Sequence, residues 1–290
     1  MLNALCFDID DLAYGLHMKC GSRMRSHYLV EKETYSLLQF LDRIRVRATM
    51  FVPGYVAERF PQLVRDMAVA GHEIGGHGNR HIAAQDLQRH EFRNEIRTCK
   101  HLIEDIVSLA VTTYKDPCWG ISPQASWAYD ELISEGYTID NTAQPVLLQH
   151  LGKSPKQMSP FLYKDALTVI PVTSITFFRK RIPFNGGLYC AYVPSGLQKR
   201  YYRKLNERGI PFNYFCHPFE LCPQDENKHI YSRGSVRAAF YGLYFGWYRH
   251  YITVLSETFE LATLKDTYAS FLALKEDDGP SQSFIVRGTA

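Results

Sequence analysis

Short apolar runs alternate along the chain with longer stretches in which apolar residues recur every three or four positions. The run "NALCFDI" (residues 3–9) is short and almost wholly apolar, the pattern of a buried strand. Residues 31–44, "EKETYSLLQFLDRI", carry helical periodicity, and "RATMFVP" comes next as a second strand ended by Pro53. "AERFPQLVRDMAVAG" reads as one amphipathic helix closed by Gly71, a residue suited to the position just past a helix end. "HEIGGH" is a third strand, residues 84–108 a helix, and "VTTYKDP" a strand. "SWAYDELISEG" is a helix closing on Gly136, and "YTIDNT" is a strand. Near the C-terminus "PFNYFCHPFEL" is a strand that delivers His217 to its own end. Strand–helix alternation with short connections argues for a mostly parallel sheet. The expected fold class is α/β: a single-domain distorted (β/α) barrel, complete or incomplete, over residues 1–275, with a tail at 276–290.

Chemistry in such barrels gathers at the C-terminal ends of the strands. Asp8 and Asp10 end the first strand, His77 and His81 come after the third, and Lys115 and Pro117 end a later one. Asp8 and Asp10 are two apart, so on a strand both face the same side. Asp10, His77 and His81 supply one carboxylate and two imidazoles, a common set for a divalent metal at the strand ends, and of the paired acids one can bind the metal while the other acts as a base. His77 and His81 lie on one face if the turn between them is helical. "HGNRH" alone is a weak signal, because such spacing is more often a pair of ordinary surface histidines. "FDIDD" alone reads equally well as an acidic helix cap, and Asp11 is a substitute ligand if the strand ends early. His72 reads as structural, hydrogen-bonding at the strand start, and Glu73 as solvent-facing or helix-pairing. Gly75 and Gly76 allow a tight turn or a close backbone approach. "NGG" at 185–187 reads as a turn. Trp119, Trp127 and Trp247 read as core, Trp119 being the best candidate for stacking on a sugar.

Charge and composition narrow the partners. A net charge of +3 is too small for a nucleic-acid binder. No stretch of about 18 apolar residues exists, so no membrane span is expected. Seven scattered cysteines without a CxxC pair suit a reducing, cytoplasmic setting. "MLNALCFDID" lacks the layout of a secretory signal.

The motifs, taken in order, resemble the polysaccharide deacetylases of the chitooligosaccharide-deacetylase homology group, in the exosortase-associated branch. "FDIDD" resembles the first family motif, "GHEIGGHGNRH" the second and "YKDPCWGIS" the third. "WAYDELISEGYTIDNT", "IPFNGGLYCAYVP", "YFCHPFEL" and "WYRHYI" resemble the later segments of that family branch. One motif is a moderate signal; several in the correct order are strong.

The resemblance implies a metal-dependent hydrolase that removes acetyl groups from glycans. It implies Asp8 as general base, Asp10, His77 and His81 as ligands of a divalent metal (zinc, with cobalt or nickel as alternatives), and His217 as general acid. The backbone N–H of Cys118 matches the oxyanion donor. Two departures stand out: Lys115 replaces the family arginine, and Leu12 stands where this branch has tryptophan. Lysine lacks the planar fork of arginine, so Lys115 is expected to support Asp8 as a point charge, with arginine tolerated in its place; Asp140 reads either as a partner that steadies Lys115 or as a turn residue before Asn141. The plainer alternative for His217 is a buried structural histidine. The expected substrate is an N-acetylated sugar as a nucleotide- or lipid-linked glycan precursor of a surface polysaccharide. The alternative is a catalytically weakened relative that binds glycan or metal.

Overall fold

In the computed structural model, which describes residues 1–10, 29–143, 160–177, 180–186, 190, 193–221 and 247–277, the first strand is β1 (Leu2–Asp8). It is followed by α1 (Val30–Ile44), β2 (Thr49–Val52), α2 (Gly54–Arg59), α3 (Pro61–Val69) and β3 (Glu73–Gly76). Next come α4 (Arg89–Val107), β4 (Thr113–Tyr114), α5 (Ala128–Ser134) and β5 (Ile139–Asp140). The second half holds β6 (Phe161–Tyr163), β7 (Leu167–Val169), β8 (Ser174–Phe177) and β9 (Lys180–Pro183). It ends with α6 (Ser195–Glu207), β10 (Asn213–Cys216), α7 (Trp247–Thr258), β11 (Glu260–Ala262) and α8 (Leu264–Asp277). No helix among the described residues is long and apolar enough to cross a membrane.

The main sheet runs β10-β1-β2-β3-β4-β5-β7-β6, with β11 also pairing β1. Every pairing in it is parallel except β6 with β7. It curls without closing among the described residues, so the α/β expectation of an incomplete, distorted (β/α) barrel holds. β8 and β9 form a separate antiparallel pair.

Alternation along β1 assigns the two faces. Leu5 and Phe7 join the large core between sheet and helices, whereas Ala4 and Cys6 join a second cluster with Phe51, Ile139, Ile170 and Phe215. That second cluster fills the inside of the curl, and α8 closes its lower end with Leu264. Thr49 Oγ1 accepts the Leu264 N–H at 2.8 Å, and Glu73 accepts from Lys265 N at 3.1 Å, from Thr49 at 2.6 Å and from Thr113 at 2.5 Å. Glu73 is therefore neither solvent-facing nor helix-pairing in the usual sense. It ties three strands to the N-terminus of α8, where a carboxylate suits the positive end of the helix.

Three local expectations change. The single helix expected over residues 57–71 is two, because Pro61 stands at the first position of α3 and Phe60 leaves the helical region with φ −128 and ψ 59. The helix expected from residue 84 starts at Arg89, where Gln88 and Glu91 form a reciprocal capping box. Gly75 and Gly76 lie within β3 and make no turn. A Cβ on Gly75 would stand 2.8 Å from the Phe51 ring, and one on Gly76 2.7 Å from Tyr137 Oη, so both positions exist for close packing.

Candidate metal and catalytic site

Inside the curl, Asp8 continues the face of Ala4 and Cys6 and stands at the end of β1, paired with Phe51 of β2. Lys115 follows β4 and donates to both Asp8 oxygens, at 2.7 and 2.6 Å. Both are buried, Lys115 to 1% exposure. Burial alone would raise the Asp8 carboxyl, but the Lys115 ammonium together with His77 and His217 outweighs it and holds the group below the usual carboxylate range. The ammonium also lies over three rings, with centroids at 4.0 Å for Phe215, 5.5 Å for Trp119 and 5.6 Å for Phe51. Trp119 packs edge-on against Phe215 at 5.3 Å.

The expected partner Asp140 is elsewhere. It accepts from Thr142 N at 3.0 Å and Thr142 Oγ1 at 2.5 Å, and Thr142 Oγ1 in turn accepts the Asp116 N–H at 2.8 Å. Asp140 thus braces the loop after β4 through the main chain. Its side chain already meets two donors from its own turn, and burial pushes its carboxyl up to about 7.

Asp10, His77 and His81 converge, with one donor atom from each lying within 4.8 Å of the others. His81 Nε2 is 3.0 Å from Asp10 Oδ2. The two imidazoles meet edge-on at 5.0 Å. The turn between them is not helical: Gly78 has φ 70 and His81 has φ 58. The loop is fixed instead by its neighbours. Asn79 N and Arg80 N donate to Glu95 Oε2 at 3.1 and 2.7 Å, Gly54 N donates to Gly78 O at 2.9 Å, and Ala84 N donates to Asp116 Oδ2 at 2.9 Å. Asp116 also accepts from Tyr114 Oη at 2.9 Å, and burial pushes its carboxyl up to about 8.

These donors fit a divalent metal. His77 Nδ1 is 2.6 Å from the Lys115 carbonyl oxygen, so Nδ1 carries the proton and Nε2 keeps its lone pair. Burial lowers the His77 pKa to about 4, which leaves the ring neutral near pH 7. Asp10 Oδ1 is buried with no hydrogen-bond partner. A buried carboxylate oxygen without a donor is costly unless a cation meets it. Asp11 and Leu12 lie outside the described residues.

His217 stands just past β10. Its Nε2 is 3.7 Å from Asp10 Oδ1 and 3.9 Å from Asp8 Oδ2. Its Nδ1 is 3.2 Å from Glu220 Oε2, which also accepts the His217 backbone N–H at 2.8 Å, and Phe219 stacks on the ring at 4.7 Å. Burial opposes a charge on His217, but Asp10, Glu220 and Asp8 outweigh it and raise its pKa to about 9. The sequence reading missed Glu220, although the His-x-x-Glu spacing within "HPFE" could have signalled it.

Cys118 and Trp119 form a tight turn with φ 54 and 53, and Asp116 O accepts the Trp119 N–H at 3.2 Å. His72 is structural: its Nδ1 accepts the Ala48 N–H at 3.2 Å. In "NGG", Asn185 O accepts the Phe215 N–H at 2.6 Å and Gly186 bridges to Phe215. A Cβ on Gly186 would lie 2.1 Å from Phe215 O, so only glycine fits there; Gly187 lies outside the described residues. Trp127 packs edge-on against Phe92, and Trp247 is 60% exposed, so it is not the core residue expected.

A curled α/β sheet with a carboxylate and two imidazoles at its strand ends, beside a second carboxylate and a third histidine, defines a (β/α)-barrel protein with a candidate divalent-metal centre. The sequence profile of polysaccharide deacetylases matches residues 5–132, and the profile of a domain of unknown function, DUF3473, matches residues 142–245. Residues 5–132 thus form a polysaccharide deacetylase domain. The chain is 30% identical over 99 residues to a peptidoglycan-N-acetylglucosamine deacetylase of Bacillus cereus, a match covering 34% of this chain and 36% of that protein. It is 29% identical over 99 residues to a chitooligosaccharide deacetylase of Bradyrhizobium, covering 34% and 43%. The matched segments thus span well under half the length of these relatives. Among solved structures, a polysaccharide deacetylase homologue from Mycobacterium smegmatis superposes with a TM-score of 0.63 at 20% identity, covering 99% of this chain and 92% of that one. The peptidoglycan deacetylase PdaC of Bacillus subtilis gives 0.51 at 14% identity, covering 96% and 94%. At these identities the likeness concerns the fold.

Proposed function

We propose that this protein is a metal-dependent carbohydrate deacetylase, which hydrolyses the amide of an N-acetylated sugar to the free amine and acetate. The observation that carries this reading is the convergence of Asp8, Asp10, His77, His81, Lys115 and His217 at one mouth of the sheet. Asp10, His77 and His81 would hold the ion, and this donor set suits zinc, with cobalt or nickel as alternatives. Such an ion, when bound, polarises the acetyl carbonyl and lowers the pKa of water to about 7.

The residues of the chain do the proton work. Asp8, kept ionised by Lys115, accepts the proton of the attacking water. His217 Nε2 faces the same space and gives a proton to the leaving amine nitrogen, while Glu220 fixes its ring through Nδ1. A histidine that is charged near neutral pH is ready for that donation. The Cys118 N–H is assigned to the developing oxyanion, a role that a backbone donor fills without reorganisation. The retained Lys115–Asp8 ion pair supports the enzyme reading over that of a weakened glycan- or metal-binding relative.

The substrate proposed is a nucleotide- or lipid-linked precursor of a surface polysaccharide, handled in the cytoplasm. The described cysteines Cys6, Cys99, Cys118, Cys190 and Cys216 are all free, which suits a reducing compartment. The proposed architecture is one domain over residues 1–275 with a tail at 276–290. Its support is β10, from the segment matched by the second profile, which pairs directly with β1 from the first. The test is acetate release from a panel of UDP-linked N-acetyl sugars and N-acetylated oligosaccharides, with metal content measured on the same sample. A zinc-loaded protein that releases acetate from none of them removes this reading.

A further inference from the structure

The Lys115 ammonium is held by more than a carboxylate. Its Nζ donates to both Asp8 oxygens, and the Phe215, Trp119 and Phe51 rings surround it at 4.0, 5.5 and 5.6 Å. Phe51 is wholly buried and Phe215 nearly so. The rings come from β2, β10 and the turn after β4, so three separate parts of the sheet converge on one charge.

A lysine ammonium is a compact charge on a flexible stem, with no preferred plane. One carboxylate does not fix such a group, because the ammonium can swing around it. Aromatic faces attract cations, more strongly where water is excluded, and rings on several sides leave one resting place. Here that place lies beneath both oxygens of Asp8. The Phe215 centroid at 4.0 Å is at packing contact with Nζ. A guanidinium carries two more heavy atoms than the lysine head and stem allow for. In a close-packed interior that excess forces rotamers or backbone to shift.

We propose that Phe215, with Trp119 and Phe51, forms an aromatic cage that positions Lys115 on Asp8, and that this cage is fitted to lysine and excludes arginine. Phe215 is a positioning residue, acting on the base through Lys115. The sequence-based expectation that arginine is tolerated at position 115 is thereby reversed. The consequence for turnover rests on the deacetylase reading; the packing consequence does not.

The test is a double-mutant cycle on Lys115→Arg and Phe215→Leu, read in two ways. The first reading is kcat and KM for acetate release. Each single variant is expected to lose about tenfold or more in kcat with KM little changed, as for a group acting on the chemical step. The double variant is expected to recover at least about threefold over Lys115→Arg, because the leucine opens room for the guanidinium. The second reading is the melting temperature of the metal-free protein, which needs no substrate. There the double variant is expected to melt higher than the sum of the single losses predicts. If Phe215→Leu does not fold, Trp119→Leu takes its place in the cycle. A Lys115→Arg protein with full kcat and an unchanged melting temperature, or a cycle that is additive in melting temperature, overturns the cage. Absence of acetate release from the parent protein removes the deacetylase reading and leaves the cage to be decided by melting.

Discussion

Lys115 serves two partners at once: its carbonyl oxygen lies 2.6 Å from His77 Nδ1, and its Nζ lies 2.6 Å from Asp8 Oδ2. The main chain orients a candidate metal ligand, and the side chain orients the candidate base. The spacing between ligand and base is therefore set by a single residue at the end of β4. Its main chain is in turn fixed to β3, since Lys115 N donates to Gly76 O at 3.1 Å.

Asp8→Asn tests the division of labour between the two acids. The amide keeps the shape of the carboxylate but accepts no proton at neutral pH. The variant is expected to retain its metal and lose about 10² to 10⁴ in kcat, the usual span for general-base catalysis. Metal content and acetate release on one preparation check this. Loss of the ion together with activity reverses the roles of Asp8 and Asp10.

Glu220→Gln tests the hold on His217. Glu220 is among the groups that raise the His217 pKa to about 9. Removing its charge disfavours the imidazolium, so the pKa falls. The proton donor is then lost at lower pH, and the alkaline limb of the kcat/KM profile is expected to move downward. kcat is expected to fall about tenfold, as for loss of an orienting partner. An unmoved alkaline limb assigns the general acid to another group.

The strand-end chemistry was legible in the sequence because it obeys alternation. Asp8 ends β1 and Asp10 follows two residues on, just past the strand, and His77 and His81 come after the next strand but one. The close packing at Gly75 and Gly76, by contrast, depends on Phe51 and Tyr137, which no local pattern connects to them. The aromatic surroundings of Lys115 were equally invisible, since Phe51 and Phe215 meet it only through the curl of the sheet. Glu95 reads as an ordinary polar residue of α4 until the loop at Asn79 and Arg80 is folded against it. Pro61 is visible in the sequence, and by disfavouring the helical region at Phe60 it divides the apolar-periodic stretch into two helices.

His72 provides a stability test away from the site. Burial, with Arg47 nearby, lowers its pKa to about 4 from an ordinary 6.5. A depressed folded-state pKa contributes stability that is present above the unfolded value and is lost as pH falls through the folded one. The window is therefore pH 6.5 down to about 4. Protonation would also displace the Ala48 N–H from Nδ1. His72→Asn keeps an acceptor and cannot titrate, so its denaturant midpoint is expected to fall less steeply than the parent's across this window. Parallel slopes for parent and variant assign the acid sensitivity elsewhere.

Titration of metal-stripped protein with zinc, reading acetate release at each addition, tests the central claim most directly. The account predicts that activity is absent at the start and rises to a break at one equivalent. It further predicts that Asp10→Ala, His77→Ala and His81→Ala each abolish that break. Full activity in the stripped protein, or an unchanged break in any of the three variants, would contradict it.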